Sequence, residues 1–191
     1  MAVPISVDAI KFEGDGSYER LPAGAYVCKV IRAEHYPDKQ YVLLYLDIAE
    51  GEYAGFGEKT EERTGKTFGY LRKYCKYDTK PFDNPFHRCN NSAEAYQYML
   101  ARFEAENKGK FSQTDREEAH LVGLLVGATC RVEEYEAADG EIKEGVKFAD
   151  FVEIAKVRAG KVKTPKPKLI KKTEPPLIAS KAVPDDGSIP F

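Results

Sequence analysis

Aromatic and basic side chains alternate along one segment of the chain in a pattern that suits contact with flat rings and phosphates. Successive side chains of a strand point to opposite faces, so every second residue shares a face. By this spacing one face carries Phe68, Tyr70, Arg72, Tyr74 and Lys76. An upstream segment places Tyr41 and Tyr45 on one face in the same way. Rings that stack on bases, beside cations that neutralise phosphates, are the chemistry of single-stranded nucleic-acid binding.

The same aromatics have a simpler interpretation as core residues. Alternating aromatics in a strand fill a core more often than they form a binding platform, and Phe68 in particular suits the inside. Tyrosine is the better groove residue, because its hydroxyl favours a wet edge. Other cations that can flank a groove are Arg131 on a later strand and the loop residues Lys59, Arg63, Lys66 and Arg88.

The formal net charge of −2 hides an asymmetry along the chain. Residues 1–155 carry 20 Lys or Arg against 28 Asp or Glu, whereas residues 156–191 carry 9 against 3. An acidic body repels DNA, so nucleic-acid binding requires one of two arrangements. Either the acids lie away from the groove, or the basic tail supplies affinity that the body lacks.

Periodicity and turn residues predict a mainly β domain with one helical segment. The polar, Gly-rich stretch 51–66 is expected to be a loop. Ser92 is expected to cap a helix that ends near Asn107, and Thr114 with Glu117 forms a capping box for a short second helix. The predicted strands cover residues 22–36, 41–53, 67–77, 124–137 and 141–157.

This element order, three strands, a helical segment and a two-stranded hairpin, is that of a five-stranded OB-fold barrel. The predicted OB-fold domain covers residues 21–157, after an N-terminal arm at 1–20. Residues 158–191 are predicted to be a disordered tail, because this segment contains no aromatic residue before Phe191 and is rich in proline and lysine. Such a composition cannot bury enough apolar surface to offset its ordering entropy.

The chain ends in PDDGSIPF, which places its last ring beyond that polar segment. A ring that cannot join a core suits a pocket on another protein. Its α-carboxylate can pair with a basic side chain there, and the two preceding acids can meet a basic rim. The predicted partner-binding tip consists of Asp185, Asp186, Ile189, Pro190 and Phe191.

No catalytic motif appears in the sequence, and no cofactor or metal is expected. The cysteines are Cys28, Cys75, Cys89 and Cys130, predicted to be reduced and buried in a cytoplasmic protein. Zinc bound through Cys75, His87 and Cys89 remains an alternative, although the spacing matches no common site. No segment has the length and apolarity of a membrane span, and the N-terminus lacks a secretory signal pattern.

The ending DDGSIPF resembles the C-terminal tip of bacterial single-stranded DNA-binding proteins, which end in acidic residues followed by Ile-Pro-Phe or Leu-Pro-Phe. Two body segments, LPAGAYVCKVIRAEHYPDKQYVLLYLDIAEGEYAGF and LVGATCRVEEYEAADGEIKEGVKFADFVEI, are similar to a family of small phage OB-fold single-stranded DNA-binding proteins. That similarity covers roughly residues 20–160.

The resemblance implies a protein that binds and protects single-stranded DNA, without strong sequence preference, during phage DNA replication and recombination. It also implies recruitment of phage or host replication, recombination or repair enzymes through the tip, in the bacterial cytoplasm. Two alternatives remain open: an accessory adaptor that acts mainly through its tail, and, ranked far below, a nuclease. The sequence leaves the oligomeric state open, a homo-oligomer included.

Overall fold

The computed structural model describes residues 20–83, 89–115 and 117–170, so most of the predicted N-terminal arm lies outside it. Within these ranges the strands are β1 (Gly24–Tyr36), β2 (Tyr41–Ile48), β3 (Leu71–Lys76), β4 (Leu125–Glu136) and β5 (Ile142–Val152). The α-helices are α1 (Phe56–Thr64), α2 (Ser92–Glu106) and α3 (Ile154–Arg158). Short 3₁₀ turns cover Pro37–Lys39, Thr67–Gly69 and Glu118–Leu121. The chain is mainly β with few helices, as the sequence predicts.

The five strands form one antiparallel sheet in the order β3-β2-β1-β4-β5. The second strand in this order, β2, is buried along nearly its whole length. One side of β2 packs Val42, Leu44 and Leu46 into the main core. The other side contributes Leu43 and Tyr45 to a second, smaller cluster. Both faces of β2 are covered, which explains its near-continuous run of apolar residues.

The sheet is OB-fold-like in strand number, strand order and the position of α2, but it is not closed into a barrel. In the described ranges no hydrogen-bonded ladder joins the two edge strands, β3 and β5. Side chains stand between these edges instead, and the Lys73 ammonium lies 5.1 Å from the ring centre of Phe148. The predicted five-stranded OB-fold barrel is therefore present only in part, as an unclosed sheet: β3 is only six residues long, and its edge meets β5 through side chains.

Helix α2 covers one end of the main core, as predicted, with Met99, Leu100 and Phe103 buried. Its N-cap is Asn91 and not Ser92: the Asn91 side chain accepts a hydrogen bond from the Glu94 amide at 2.8 Å. The prediction of a second capped helix is wrong. The Thr114 hydroxyl lies 3.0 Å from the Ser112 hydroxyl, and the chain forms only the 3₁₀ turn at Glu118–Leu121.

The polar stretch predicted as a loop contains α1, and a buried carboxylate explains why. Asp47 at the end of β2 is 4% exposed. Its Oδ1 accepts hydrogen bonds from the amides of Ile48 at 2.8 Å and Gly57 at 2.7 Å, and its Oδ2 from that of Glu58 at 3.1 Å. The carboxylate therefore satisfies the free amides at the first turn of α1 from a strand ten residues earlier.

The fifth strand was predicted to continue to residue 157. Instead β5 ends at Val152, and the chain turns into α3. The next residues, assigned to the unstructured tail by their composition, reach β4 at Lys168 and Ile170. The Lys168 amide donates to the Val132 carbonyl at 2.9 Å, and the Glu134 amide donates to the Lys168 carbonyl at 3.0 Å. Later tail residues lie outside the described ranges. None of the helices within those ranges combines the length and the apolarity that crossing a membrane requires.

The position of α1 is expected to depend on Asp47. The substitution Asp47→Ala should lower the free energy of unfolding by about 1–3 kcal/mol, because buried amides lose their acceptor. Asp47→Asn retains one acceptor oxygen, so its free energy of unfolding should lie between those of Asp47→Ala and the wild type. Urea denaturation followed by circular dichroism measures the difference. A wild-type midpoint for Asp47→Ala would show that other contacts hold α1.

Candidate nucleic-acid interface

The side of the sheet opposite the main core carries tyrosines from β1, β2, β3 and the residue just before β3. We call this side the aromatic face. Its members are Tyr36, Tyr41, Tyr45, Tyr70 and Tyr74. The strand register sets Tyr41 between Tyr36 and Lys76, and sets Tyr45 opposite Arg72. Ring centres are 4.9 Å apart for Tyr36 and Tyr41, and 5.3 Å apart for Tyr41 and Tyr74. These three rings form a continuous aromatic row across the three strands.

Exposure divides the aromatic face into two halves. Tyr74 is 50% exposed, and Tyr36 and Tyr41 are half-buried. Tyr45 and Tyr70 are 9% and 6% exposed, and their rings meet edge to face at 6.2 Å. A base can stack only on a ring whose face is open, so the open half can bind a base and the buried half supports the sheet.

Helix α1 is what covers Tyr70. The Tyr70 hydroxyl donates to Glu61 Oε2 at 2.7 Å, and a Cβ at Gly57 would overlap the Tyr70 ring. Gly57 is therefore required for the close approach of α1 to the sheet. The sequence placed Tyr70 correctly on the face of Tyr74, but alternation alone does not show which part of a face another element covers.

Phe68 does not share the strand face that alternation predicted for it. It lies in the 3₁₀ turn before β3. The next residue in this turn, Gly69, approaches Thr60 of α1 so closely that position 69 has no space for a side chain. The ring is nonetheless 48% exposed. Phe68 is therefore an accessible aromatic at the edge of the aromatic face.

Cations surround the open rings. Arg72 and Lys76 are exposed on β3, and neither forms an ion pair with another described residue. Arg32 lies 5.0 Å from the ring centre of Tyr45, within 4 Å of carboxylates of both Glu34 and Glu61. Lys39 lies 5.9 Å from the ring centre of Tyr36. Cations beside aromatic rings can contact phosphates while a base occupies the ring.

The sequence reasoning missed Tyr36 and Arg32, and a β-bulge explains the omission. In β1, Cys28 and Val30 pair with Ile48 and Leu46 in the core, so strict alternation sends residues 32 and 36 inward as well. The register shifts between Val30 and Arg32, which turns the later even-numbered residues outward. Two consecutive apolar residues at positions 30 and 31 were the only sign of this bulge in the sequence.

Three tyrosines of the aromatic face, Tyr36, Tyr45 and Tyr70, have raised pKa values. Tyr36 donates to Glu34 Oε2 at 2.7 Å, and that hydrogen bond raises the pKa of Tyr36 to about 12. Burial raises the pKa of Tyr45, and burial together with the bond to Glu61 raises the pKa of Tyr70. The hydroxyls of Tyr36, Tyr45 and Tyr70 are therefore neutral throughout the physiological range.

Arg131 does not join the aromatic face. It lies on β4, where its Nε and Nη2 donate to Glu133 Oε1 at 2.9 and 2.7 Å. Partial burial works to raise the pKa of Glu133, but the hydrogen bond from Arg131 and the charges of Arg131, Lys168 and Lys147 together lower it. Arg131 thus stabilises a carboxylate on the hairpin between β4 and β5.

A groove runs along the unclosed seam between β3 and β5, and we call it the seam groove. It has a volume of about 860 Å³. Phe68, Arg72 and Tyr74 line its β3 side, and Tyr135 and Lys147 line its hairpin side. Glu133 and Glu144 also line it. The groove therefore begins at the open half of the aromatic face and continues to the β4–β5 hairpin.

All four cysteines are buried and in the thiol form. Burial raises the pKa of Cys75 to about 12 and that of Cys130 to about 11, which keeps both as unreactive thiols. No group of three potential metal-binding side chains occurs among the residues for which the structure gives positions. His87, a member of the alternative zinc set, lies outside them, as does the whole predicted tip from Asp185 to Phe191.

No protein-family model matches the chain, and a search of curated proteins finds no match.

The two halves of the aromatic face should differ in their effect on stability. Tyr70→Ala should lower the free energy of unfolding by about 3 kcal/mol, because it removes a buried ring beneath α1. Tyr74→Ala should change it by no more than about 0.5 kcal/mol, because the ring is half exposed. Urea denaturation of both variants against the wild type measures this contrast. Equal losses of unfolding free energy in the two variants would contradict the division of the aromatic face into an open and a buried half.

Proposed function

We propose that this chain is an OB-fold protein that binds single-stranded DNA without strong sequence preference, across the open half of its aromatic face. The observation that carries the proposal is the row formed by Tyr36, Tyr41 and Tyr74, flanked by Arg72 and Lys76. Bases stack on the rings, and phosphates bind the cations. Every base has a π-face, so contacts of this kind are sequence-tolerant.

The distribution of charge answers the objection raised by the acidic body. The outward-facing side chains of the three strands include the cations Lys29, Arg32, Arg72 and Lys76. The acids on the same side are Glu34, the buried Asp47, and Glu61 of α1, so the cations outnumber them here. Other acids of the body are bound elsewhere: Glu50 accepts from Arg158 at 2.6 Å, and Glu153 accepts from Lys156 at 2.8 Å. The local field at the aromatic face is therefore more positive than the net charge of the body suggests.

The biological role follows from the resemblance described above. We propose that the protein protects single strands during phage DNA replication and recombination, and that the tip recruits phage or host enzymes of replication, recombination or repair. Tethering raises the concentration of such an enzyme near DNA even when the tip alone binds weakly. The adaptor alternative differs in one respect, because it retains recruitment with little DNA binding.

Replacing the open rings is expected to weaken DNA binding without unfolding the protein. Tyr41→Ala and Tyr74→Ala should each cost about 1–3 kcal/mol of binding free energy, which corresponds to roughly 5- to 150-fold in affinity. Fluorescence anisotropy with a labelled oligothymidine at low salt measures this. Val122→Ala is the control, because Val122 is a 47% exposed apolar residue at the end of the 3₁₀ turn Glu118–Leu121, outside the row of rings.

Two results would contradict the proposal. One is the absence of binding to oligothymidine by the wild type at low salt, which would favour the adaptor alternative. The other is equal affinity for duplex and single strand, because a duplex hides the base faces that must stack on the rings.

Deletion of Ile189–Phe191 is expected to abolish partner recruitment while leaving DNA affinity equal or slightly higher. The ring and terminal carboxylate are the groups proposed to enter the partner's pocket, and the acidic tip competes with DNA for the protein's own cations. A pull-down from host lysate, with full-length protein and with the deletion, compares the partners retained. The same set from both forms would show that the tip recruits nothing.

A further inference from the structure

The segment that follows α3, residues 161–170, bonds to a vacant edge of the sheet through Lys168 and Ile170. β1 pairs with β4 only from Lys29↔Leu125 to Gly24↔Cys130, whereas β4 continues to Glu136. Lys168 takes the position beyond the start of β1. Its amide and carbonyl bond to Val132 and Glu134 at 2.9 and 3.0 Å, in a parallel bridge. The Ile170 amide adds a bond to Glu134 Oε2 at 2.9 Å.

The sequence of this segment suits the last position in a sheet. Lys168 directs its backbone N–H and C=O groups toward β4. Residues one position away therefore direct their backbone groups away from β4. Pro165 and Pro167 have no N–H group to present there. Proline is tolerated on an edge strand for this reason, and it prevents a further strand from pairing. The segment therefore ends the sheet at this point and leaves its side chains free for another role.

Those side chains are a run of exposed lysines: Lys161, Lys163, Lys166 and Lys168. The segment contains no acidic residue, and none of the four lysines forms an ion pair with another residue in the described ranges. The preceding cations differ, because Lys156 binds Glu153 at 2.8 Å and Arg158 binds Glu50 at 2.6 Å. Four like charges on ten residues repel one another and attract polyanions.

The anchor point lies next to the seam groove. Lys168 is one of three cations around Glu133, with Arg131 at 2.7 Å and Lys147 at 3.8 Å. Glu133 and Lys147 line the seam groove, whose opposite side is formed by Arg72 and Tyr74. Lys168 therefore lies beside one side of the seam groove, and the open ring of Tyr74 lies at the other.

We propose that residues 161–170 are an anchored phosphate-binding segment, which holds the backbone of a single DNA strand that leaves the aromatic face across the seam groove. The inference rests on the proposed function, since it extends the same binding path. It assigns to these lysines a fixed place on the domain, whereas a free basic tail would attract DNA without a defined path. Anchoring at Lys168 limits the chain entropy that is lost when phosphate binds.

The charge contribution is tested with two matched double variants of the full chain. Lys163→Gln/Lys166→Gln removes two segment lysines, and Lys108→Gln/Lys110→Gln removes two exposed lysines from the loop after α2. The probe is an oligothymidine of about 20 nucleotides, longer than the roughly 4–16 nucleotides that one OB fold covers. Affinity is measured by anisotropy over a series of salt concentrations.

The segment variant should bind more weakly, and its plot of log affinity against log salt should be less steep. Each phosphate that the variant no longer neutralises should change the slope for single strands by about 0.7. The loop variant should keep the wild-type slope. A wild-type slope for the segment variant would overturn the proposal while leaving binding at the aromatic face intact. No binding by the wild type would overturn both.

The anchor is tested by comparing Lys168→Pro with Lys163→Pro. Each removes one lysine and introduces one proline, but only Lys168→Pro removes an amide that bonds to β4. Lys168→Pro should lower affinity more than Lys163→Pro, and it alone should speed hydrogen exchange at the Glu134 amide. Equal affinities for the two variants would show that the lysines act as a free tail, and would overturn the anchored geometry.

Discussion

One buried carboxylate determines how the outer side of this sheet is used. Asp47 is surrounded by three backbone amides, two of them from the first turn of α1. A buried charge is tolerated only when such donors replace its water, so the carboxylate and the helix require each other. Because α1 is held against the sheet, it covers Tyr70 and leaves Tyr74 open. The boundary between supporting and accessible rings therefore follows from a residue that has no aromatic character and does not reach the surface.

The order of the elements along the chain, and α2 among them, were predictable because they depend on local patterns. Alternation along β2 and β3 and the helical spacing of Met99, Leu100 and Phe103 are properties of neighbouring residues. Helix α1 was not predictable in this way, because its cap is provided by Asp47 on a strand. Tyr36 and Arg32 were missed because one bulge in β1 exchanges the two faces of everything that follows it. Alternation identifies residues that share a face, but covering elements and bulges determine which face is open.

The charge of the chain illustrates why composition is a poor guide to a surface. The body is acidic overall, yet several carboxylates are bound by cations within it, among them Glu50 by Arg158 and Glu133 by Arg131. Arg72 and Lys76 on β3 have no such partner among the described residues. After α3, Lys168 adds a cation beside Glu133, which lines the seam groove. Net charge sums all of these groups, whereas an approaching polyanion responds to those that lie nearest.

The open seam between β3 and β5 determines how stiff the molecule is. In a closed barrel, widening any groove breaks backbone hydrogen bonds, each worth about 0.5–1.5 kcal/mol. Here the two edges meet through side chains such as Lys73 and Phe148, and a cation–π contact at an exposed site is worth about 0.5–1 kcal/mol. The sheet can therefore flex along this one line at small energetic cost. Compliance is concentrated at the seam, while the ladders on either side keep the remaining strands in fixed register.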